Sequence, residues 1–361
     1  ILVRADGKED VVVAHEVRGR NARPEGDDTV FVGRKPIVDR MLRTYLRHDP
    51  TETQGYIIVG EAGIGKTRLA QEFLKKLRQL PDFSHGILYA RARRYGTRPF
   101  AVVVDLLTNY FQIDARMGVE EITQIVEREL EIEHKTAAGF ATLVCGSAHE
   151  QDNQAFVVLY LILKSIVKRN QDAPYATLLC VDNLHFMDGS SVDFFKFYLR
   201  NADARPFFLF LNRSLDGEFR EIFSALEVVE LPGLDREETL QLVRSIGGDH
   251  MDMELVTSIY ENARGNPLFI REYVRYAREN RDVQALPGTI QNIFLSSIES
   301  YDTAMRDLLK KLAVFAHSFS VSDAEHVQRV TEGNPEMVQS ALGFLLREGI
   351  LVQEDDLFMF K

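Results

Sequence analysis

Residues 57–74 read IIVGEAGIGKTRLAQEFL. An apolar run ends in a glycine-rich loop, and the loop ends in Lys66-Thr67 at the head of an amphipathic segment. Residues 60–67 fit the pattern G-x-x-x-x-G-K-[ST], with a strand before and a helix after, the context that pattern requires. Gly60, Gly63 and Gly65 allow backbone N–H groups to point inward around a phosphate. The start of the following helix adds partial positive charge. Lys66 can reach the outer phosphates, and the Thr67 hydroxyl can ligate Mg²⁺. The candidate nucleotide-binding stretch is therefore Gly60, Glu61, Ala62, Gly63, Ile64, Gly65, Lys66 and Thr67, with Arg68 behind them.

The rest of the chain can carry such a site. Its 361 residues suffice for two or three domains. Apolar residues make up 45% and charged residues 27%, a globular balance. No stretch has the unbroken apolar length of a membrane span, and no basic-then-apolar signal opens the chain, so a cytoplasmic location is expected. Against 43 Lys and Arg stand 54 Asp and Glu, a formal charge of −11. That sign argues against a broad nucleic-acid or anionic-membrane surface. Cys145 and Cys180 read as reduced core thiols, Cys180 lying inside an apolar run. Residue 1 is not Met, and the chain stops within the strand-like pattern DDLFMFK, which reads as a fragment of a longer protein.

Four apolar runs, YIIV, GILYA, ATLLCV and FFLFLN, alternate with helical patterns such as TRLAQEFLKKL and NQAFVVLYLILKSIVKR. The alternation predicts an α/β domain over residues 30–230, a parallel sheet with helices on both faces. Residues 114–150 read as helical and offer no site. Residues 1–14 alternate about Asp6-Gly7, a hairpin signal, and 15–29 read as a linker, so 1–29 stand apart. After VVELPGL the strands cease. Asp235 with Glu238 makes a capping-box-like helix start, a second helix stops at Gly265, and a third starts with Pro267. These form a helical lid domain, 231–285. Residues 286–361 read as helices followed by a hairpin, the pattern of a winged-helix domain, truncated at its end.

A phosphate loop of this kind needs an acidic partner on a neighbouring strand, to hold Mg²⁺. TLLCVDNLHFMD supplies Asp182 at the end of an apolar strand. Asn183 follows, where many ATPases carry a second carboxylate to polarise the attacking water. An amide orients water but does not take its proton at neutral pH. Binding is thus well equipped and turnover is not. FFLFLNRS ends in Asn212-Arg213, a polar pair placed to sense a γ-phosphate. Arg213 capping an exposed strand end is the alternative.

FVGR at 31–34, GEAGIGKT, LLCVDNLHFMD, the Arg213 strand, GNPLF at 265–269 and LPGTIQNIFLSSIESYDTAMRDLLKKLAVFAHSF occur in one order. Together, over about residues 30–361, they resemble the signal-transduction ATPases with numerous domains. This is the STAND class of AAA+-related P-loop ATPases, in the branch found in transcription regulators and beside class III nucleotidyl cyclases. The resemblance implies that Phe31, Val32, Gly33 and Arg34 match a motif whose backbone packs near adenine; Lys35 stands where that motif has Glu. It implies that Pro267 contacts the base, although Pro267 also reads as a helix-start proline. Asp188 matches the last acid of the family's EDLHWAD-like motif and equally reads as a helix cap. ILVRADGKEDVVVAHEVRG resembles the closing hairpin of a class III cyclase domain, with an unrelated hairpin as the alternative. In the family a helical-repeat sensor region follows.

The leading expectation is a switch module that binds ATP or ADP with Mg²⁺, hydrolyses slowly and controls an attached effector, such as an adenylyl cyclase. Its catalytic candidates are Lys66, Asp182, Asn183 and Arg213, and its metal candidates Thr67 and Asp182. The alternative is a DNA-binding AAA+ initiator-type ATPase. Residues 286–361 carry 6 Lys and Arg against 11 Asp and Glu, the wrong sign for reading phosphates, so no nucleic-acid partner is expected. A steadily cycling motor is disfavoured by Asn183 and by the lack of an assignable arginine finger.

Overall fold

A computed structural model describes residues 2–3, 12–13, 30–279 and 301–360, apart from 82, 84–85, 94–97, 115, 147–151, 171–172, 216, 249–251, 302, 316–317, 331–337, 348–349 and 355–356. The expected turn at Asp6-Gly7, the linker 15–29 and the helix expected from 286 lie outside the described residues. The chain forms two compact units, residues 1–256 with 264–270, and residues 257–263 with 271–361.

At the N-terminus β1 (Leu2–Val3) pairs antiparallel with β2 (Val12–Val13). The first unit is then organised by three strands buried along their whole length: β3 (Gly55–Val59), β5 (Leu178–Asp182) and β6 (Phe207–Asn212). Unbroken apolar runs of this kind need cover on both faces, which a parallel sheet inside two helical layers provides. With β4 (Ile87–Arg91) and β7 (Glu227–Glu230) they make a five-stranded sheet, all neighbours parallel, in the order β4–β5–β6–β3–β7. The outer strands look different in sequence because they are edges. Burial alternates along β4, and Glu227 and Glu230 of β7 are exposed, a charge placement that deters further pairing.

Side chains alternate between the faces. Tyr56, Ile58, Leu178, Cys180, Leu209 and Leu211 pack with α1 (Lys35–Tyr45) and α2 (Lys66–Arg78). Ile57, Leu179, Val181, Phe208 and Phe210 face the other layer. That layer contains α3 (Ala101–Phe111), α4 (Val119–Leu130), α5 (His134–Val144), α6 (Asp152–Arg169) and α7 (Gly189–Asn201). Each fully buried Phe is worth about 1.5–3 kcal/mol, so Phe207, Phe208 and Phe210 anchor β6 firmly beneath its polar end.

Two expectations are corrected. The strand carrying Asp182 does not adjoin that of the glycine-rich loop; β6 lies between them. An apolar run tells that a strand is covered, not which strands flank it. Cys180 is buried, and burial pushes its thiol pKa well up, but Cys145 is exposed. It follows α5, whose buried stripe is Ala137, Phe140 and Ala141, and so falls past the covered part of that helix.

After α8 (Glu218–Ile222) and β7, the three expected helices are α9 (Arg236–Gly247), α10 (Met253–Ala263) and α11 (Pro267–Glu279). The Asp235–Glu238 capping box is present, each side chain accepting from the other residue's backbone N–H. In the second unit lie α12 (Thr303–Leu312), β8 (Ser318–Phe319), α13 (Val321–Val330) and α14 (Val338–Arg347). They are followed by β9 (Leu351–Glu354) and β10 (Leu357–Phe360), which pair antiparallel as the expected hairpin. β10 also pairs with β8, and Leu312, Phe319, Leu345 and Phe358 share one core.

Candidate functional site

β3 brings the chain to the C-terminal edge of the sheet and α2 carries it away, so residues 60–65 must turn sharply. Gly65, the N-cap of α2, does so at φ 97°, and a Cβ there would lie 2.8 Å from Nη1 of Arg34. At Gly63, φ 77°, a Cβ would lie 2.6 Å from that of Leu268. Only glycine suits either position. No side chain caps α2, so its first N–H groups are left to the loop, an arrangement suited to an anion.

Lys66 folds back over this loop, its Nζ donating to the carbonyls of Gly60 at 2.8 Å and Glu61 at 2.9 Å. Burial lowers the pKa of Lys66; Asp182 opposes that shift and Arg213 adds to it. The Thr67 hydroxyl donates to Oδ2 of Asp182 at 3.0 Å. Asp182 is 1% exposed, and its Oδ1 accepts the N–H of Asn183 at 2.8 Å. Arg91, its register partner on β4, brings Nε to 3.6 Å from Oδ2. Sequence reading missed Arg91, whose one signal is a basic residue closing an apolar strand. Arg68 pairs with Glu72 along α2 at 3.0 Å.

Asn183 adopts φ 58°, a conformation Asn tolerates, and opens a 3₁₀ turn at Leu184–Phe186. From that turn His185 reaches the end of β6, where its Nδ1 lies 3.0 Å from Oδ1 of Asn212. The same oxygen accepts the N–H of Arg213 at 3.0 Å. Burial lowers the pKa of His185; the Asn212 bond opposes this, Arg213 and Lys66 add to it, and Asp182 opposes it. Neither His185 nor the role of Asn212 as its partner stood out in the sequence. The Arg213 side chain is exposed.

Asp188 has a structural task. Its carboxylate caps α7 through the N–H and hydroxyl of Ser191 at 2.9 and 2.7 Å, and also accepts the N–H groups of Phe100 at 2.9 Å and Val102 at 3.4 Å. Of the residues ahead of α1, Val32 is buried, and Gly33 and Arg34 both have positive φ. The Arg34 guanidinium donates to the carbonyl of Ile64 in the glycine-rich loop and to that of Pro232 at 3.0 Å. Burial lowers the Arg34 pKa, opposed by Glu238. Pro267 starts α11, and its neighbours meet the loop within the first unit. Asn266 Nδ2 donates to the Ala62 carbonyl at 3.0 Å, and the Leu268 N–H to that of Gly63 at 3.3 Å.

Thr67 and Asp182 together offer one hydroxyl and one carboxylate. Among the described residues no three His, Cys, Asp or Glu side chains group as metal ligands. So sparse an oxygen set suits Mg²⁺, which keeps waters and completes its shell from phosphate oxygens.

A family profile described as an AAA ATPase domain matches residues 30–211. The chain belongs to the AAA ATPase domain family. Nucleotide binding, typically with Mg²⁺, goes with that membership, and the AAA ATPase match ends just before Asn212 and Arg213. A second profile, a domain of unknown function (DUF8739), matches residues 235–285. No curated protein sequence matches the chain. Among solved structures, a signal-transduction ATPase with numerous domains and a tetratricopeptide repeat sensor, from Pyrococcus horikoshii, is similar with a TM-score of 0.52 and 17% identity. That match covers 92% of this chain and 41% of the Pyrococcus protein. The ORC2 protein of Aeropyrum pernix, solved as ADPNP–ADP complexes, scores 0.43 at 13% identity, with 95% of this chain and 93% of that one covered. The ORC1 protein of the same organism, solved with DNA, scores 0.45 at 12% identity, with 94% and 92% covered. At these identities the likeness is one of fold, a P-loop NTPase-like sheet with helices on both faces. Among the described residues no helix is long and apolar enough to cross a membrane.

Proposed function

We propose that the chain is the nucleotide-controlled switch of a STAND-type ATPase, acting in the cytoplasm, which binds ATP or ADP with Mg²⁺ and hydrolyses ATP slowly. The observation that carries this reading is the Thr67–Asp182 contact at 3.0 Å, immediately followed by Asn183. It joins a hydroxyl and a carboxylate suited to Mg²⁺ to an amide where a proton acceptor would serve turnover. When bound, Mg²⁺ would neutralise phosphate charge from the Thr67–Asp182 side. Lys66 would face the outer phosphates, Arg213 would read the γ-phosphate, and Val32, Gly33, Arg34 and Pro267 would enclose the adenine.

Residues 286–361 are read as a winged helix that moves with the lid on exchange of ATP for ADP, a two-state element biased by one ligand. The effector is proposed to be a class III cyclase domain, whose closing hairpin residues 1–19 resemble. A helical-repeat sensor is proposed to follow residue 361. Calorimetry with Mg·ATP and with ADP, paired with a phosphate-release assay, tests the reading. Tight binding of both with slow release is expected. No binding, or turnover of many per second, would overturn it.

A further inference from the structure

Among the buried polar atoms of the described residues, Nε2 of His185 has no hydrogen-bond partner. Its neighbours fix what that atom is. The amide of Asn212 accepts the N–H of Arg213, so its oxygen, not its nitrogen, faces this corner. An amide oxygen only accepts, so Nδ1 of His185, 3.0 Å away, must donate to it. A neutral ring protonated at Nδ1 keeps a bare lone pair at Nε2. A buried acceptor is costly to leave unmade, and an unsatisfied one marks a missing water or a chemical task. The ring sits on the turn that leaves Asp182, two residues past Asn183, within electrostatic reach of Lys66, Arg213 and Asp182.

We propose that His185 is a catalytic residue of ATP hydrolysis, with Nε2 binding the attacking water and taking its proton. The assignment rests on the nucleotide reading above and answers the gap left by Asn183. In the step, the water oxygen bonds to the γ-phosphorus while the bond to the β–γ bridging oxygen breaks, its electron pair leaving with ADP. The water proton passes to Nε2, and the resulting imidazolium returns it to solvent as phosphate departs. Nδ1–H stays on Asn212 throughout, which keeps the ring from rotating. Burial first, and then Arg213 and Lys66, disfavour the imidazolium, which makes a weak base and accords with slow hydrolysis.

The test uses His185→Asn, which keeps a donor toward Asn212 and removes Nε2. Affinities for Mg·ATP and ADP should stay within about twofold while single-turnover phosphate release falls on the order of 100-fold or more. A readout without hydrolysis is the ring ¹⁵N spectrum of the nucleotide-free chain. There His185, identified among 9 histidines by its loss in the variant, should show Nδ1 protonated and Nε2 bare. A ring protonated at Nε2 alone overturns the proposal. So does an undiminished rate in His185→Asn, a parallel loss of ATP and ADP binding in that variant, or a wild type that binds Mg·ATP and never releases phosphate. A wild type that binds no Mg·ATP instead defeats the nucleotide reading itself.

Discussion

On the α2 side of the site the groups suited to a phosphate are backbone N–H groups and one lysine, set by a turn that only glycine can make at two points. The opposite side is made of side chains, Asp182, Asn183, His185, Asn212 and Arg213, at or just past the ends of two buried strands. The first side depends on local geometry and suits any polyphosphate. The second depends on contacts across strands, and its chemistry turns on single atoms. Binding and turnover should therefore separate under mutation.

The sharpest way to break this comparison is at Lys66. Lys66→Ala should weaken Mg·ATP and ADP alike by about 100-fold or more, since hydrogen bonds to charged groups are worth about 1.5–3 kcal/mol each. Calorimetry showing equal affinity for wild type and variant would end the assignment of the loop. On the other side, Asn183→Asp should raise steady-state phosphate release by roughly 10- to 100-fold, within the range of general-base assistance, and leave affinity unchanged. A lower rate with intact binding would mean the amide is itself the better water-holder.

Arg213→Ala should weaken ATP by about tenfold and spare ADP, as one charge-assisted contact to the γ-phosphate would. Equal losses for the two nucleotides would make Arg213 structural. Asp188→Ala should cost about 1–2 kcal/mol of stability, seen as a lower urea midpoint, because it removes the α7 cap and the acceptor of the Phe100 and Val102 N–H groups at the start of α3. Its nucleotide affinity should not move. Smallest of all, duplex DNA should leave no trace in a band-shift assay near physiological salt, given 6 basic against 11 acidic residues in 286–361.

Much of the binding side was legible in the sequence because it is local. GEAGIGKT states its own turn and helix, four apolar runs announce four strands, and Asp235 with Glu238 announces a helix start that forms as expected. The side built from the ends of β5 and β6 was half legible. Asp182 closes an apolar strand and could be named, but the insertion of β6 beside β3 could not be read from periodicity. His185 carries no spacing signal, since its role comes from Asn212 and the Arg213 N–H, 27 and 28 residues on. Arg34 was read for its backbone, whereas its guanidinium grips the carbonyl of Ile64. Asn266 was passed over for Pro267, its neighbour, because a proline at a helix start is the louder signal.

Residues 183–187 are strung between two carboxylates. Asp182 is tied to Thr67 at the head of α2, and Asp188 to the first turns of α7 and α3. A span this short, clamped at both ends, has few torsions with which to absorb strain, so it behaves as a stiff lever. The His185–Asn212 contact ties the middle of the same span to the tip of β6. In hydrogen–deuterium exchange the amides of Phe100, Asn183 and Ser191, each donating to one of these two carboxylates, would open together as one cooperative unit rather than fray in turn.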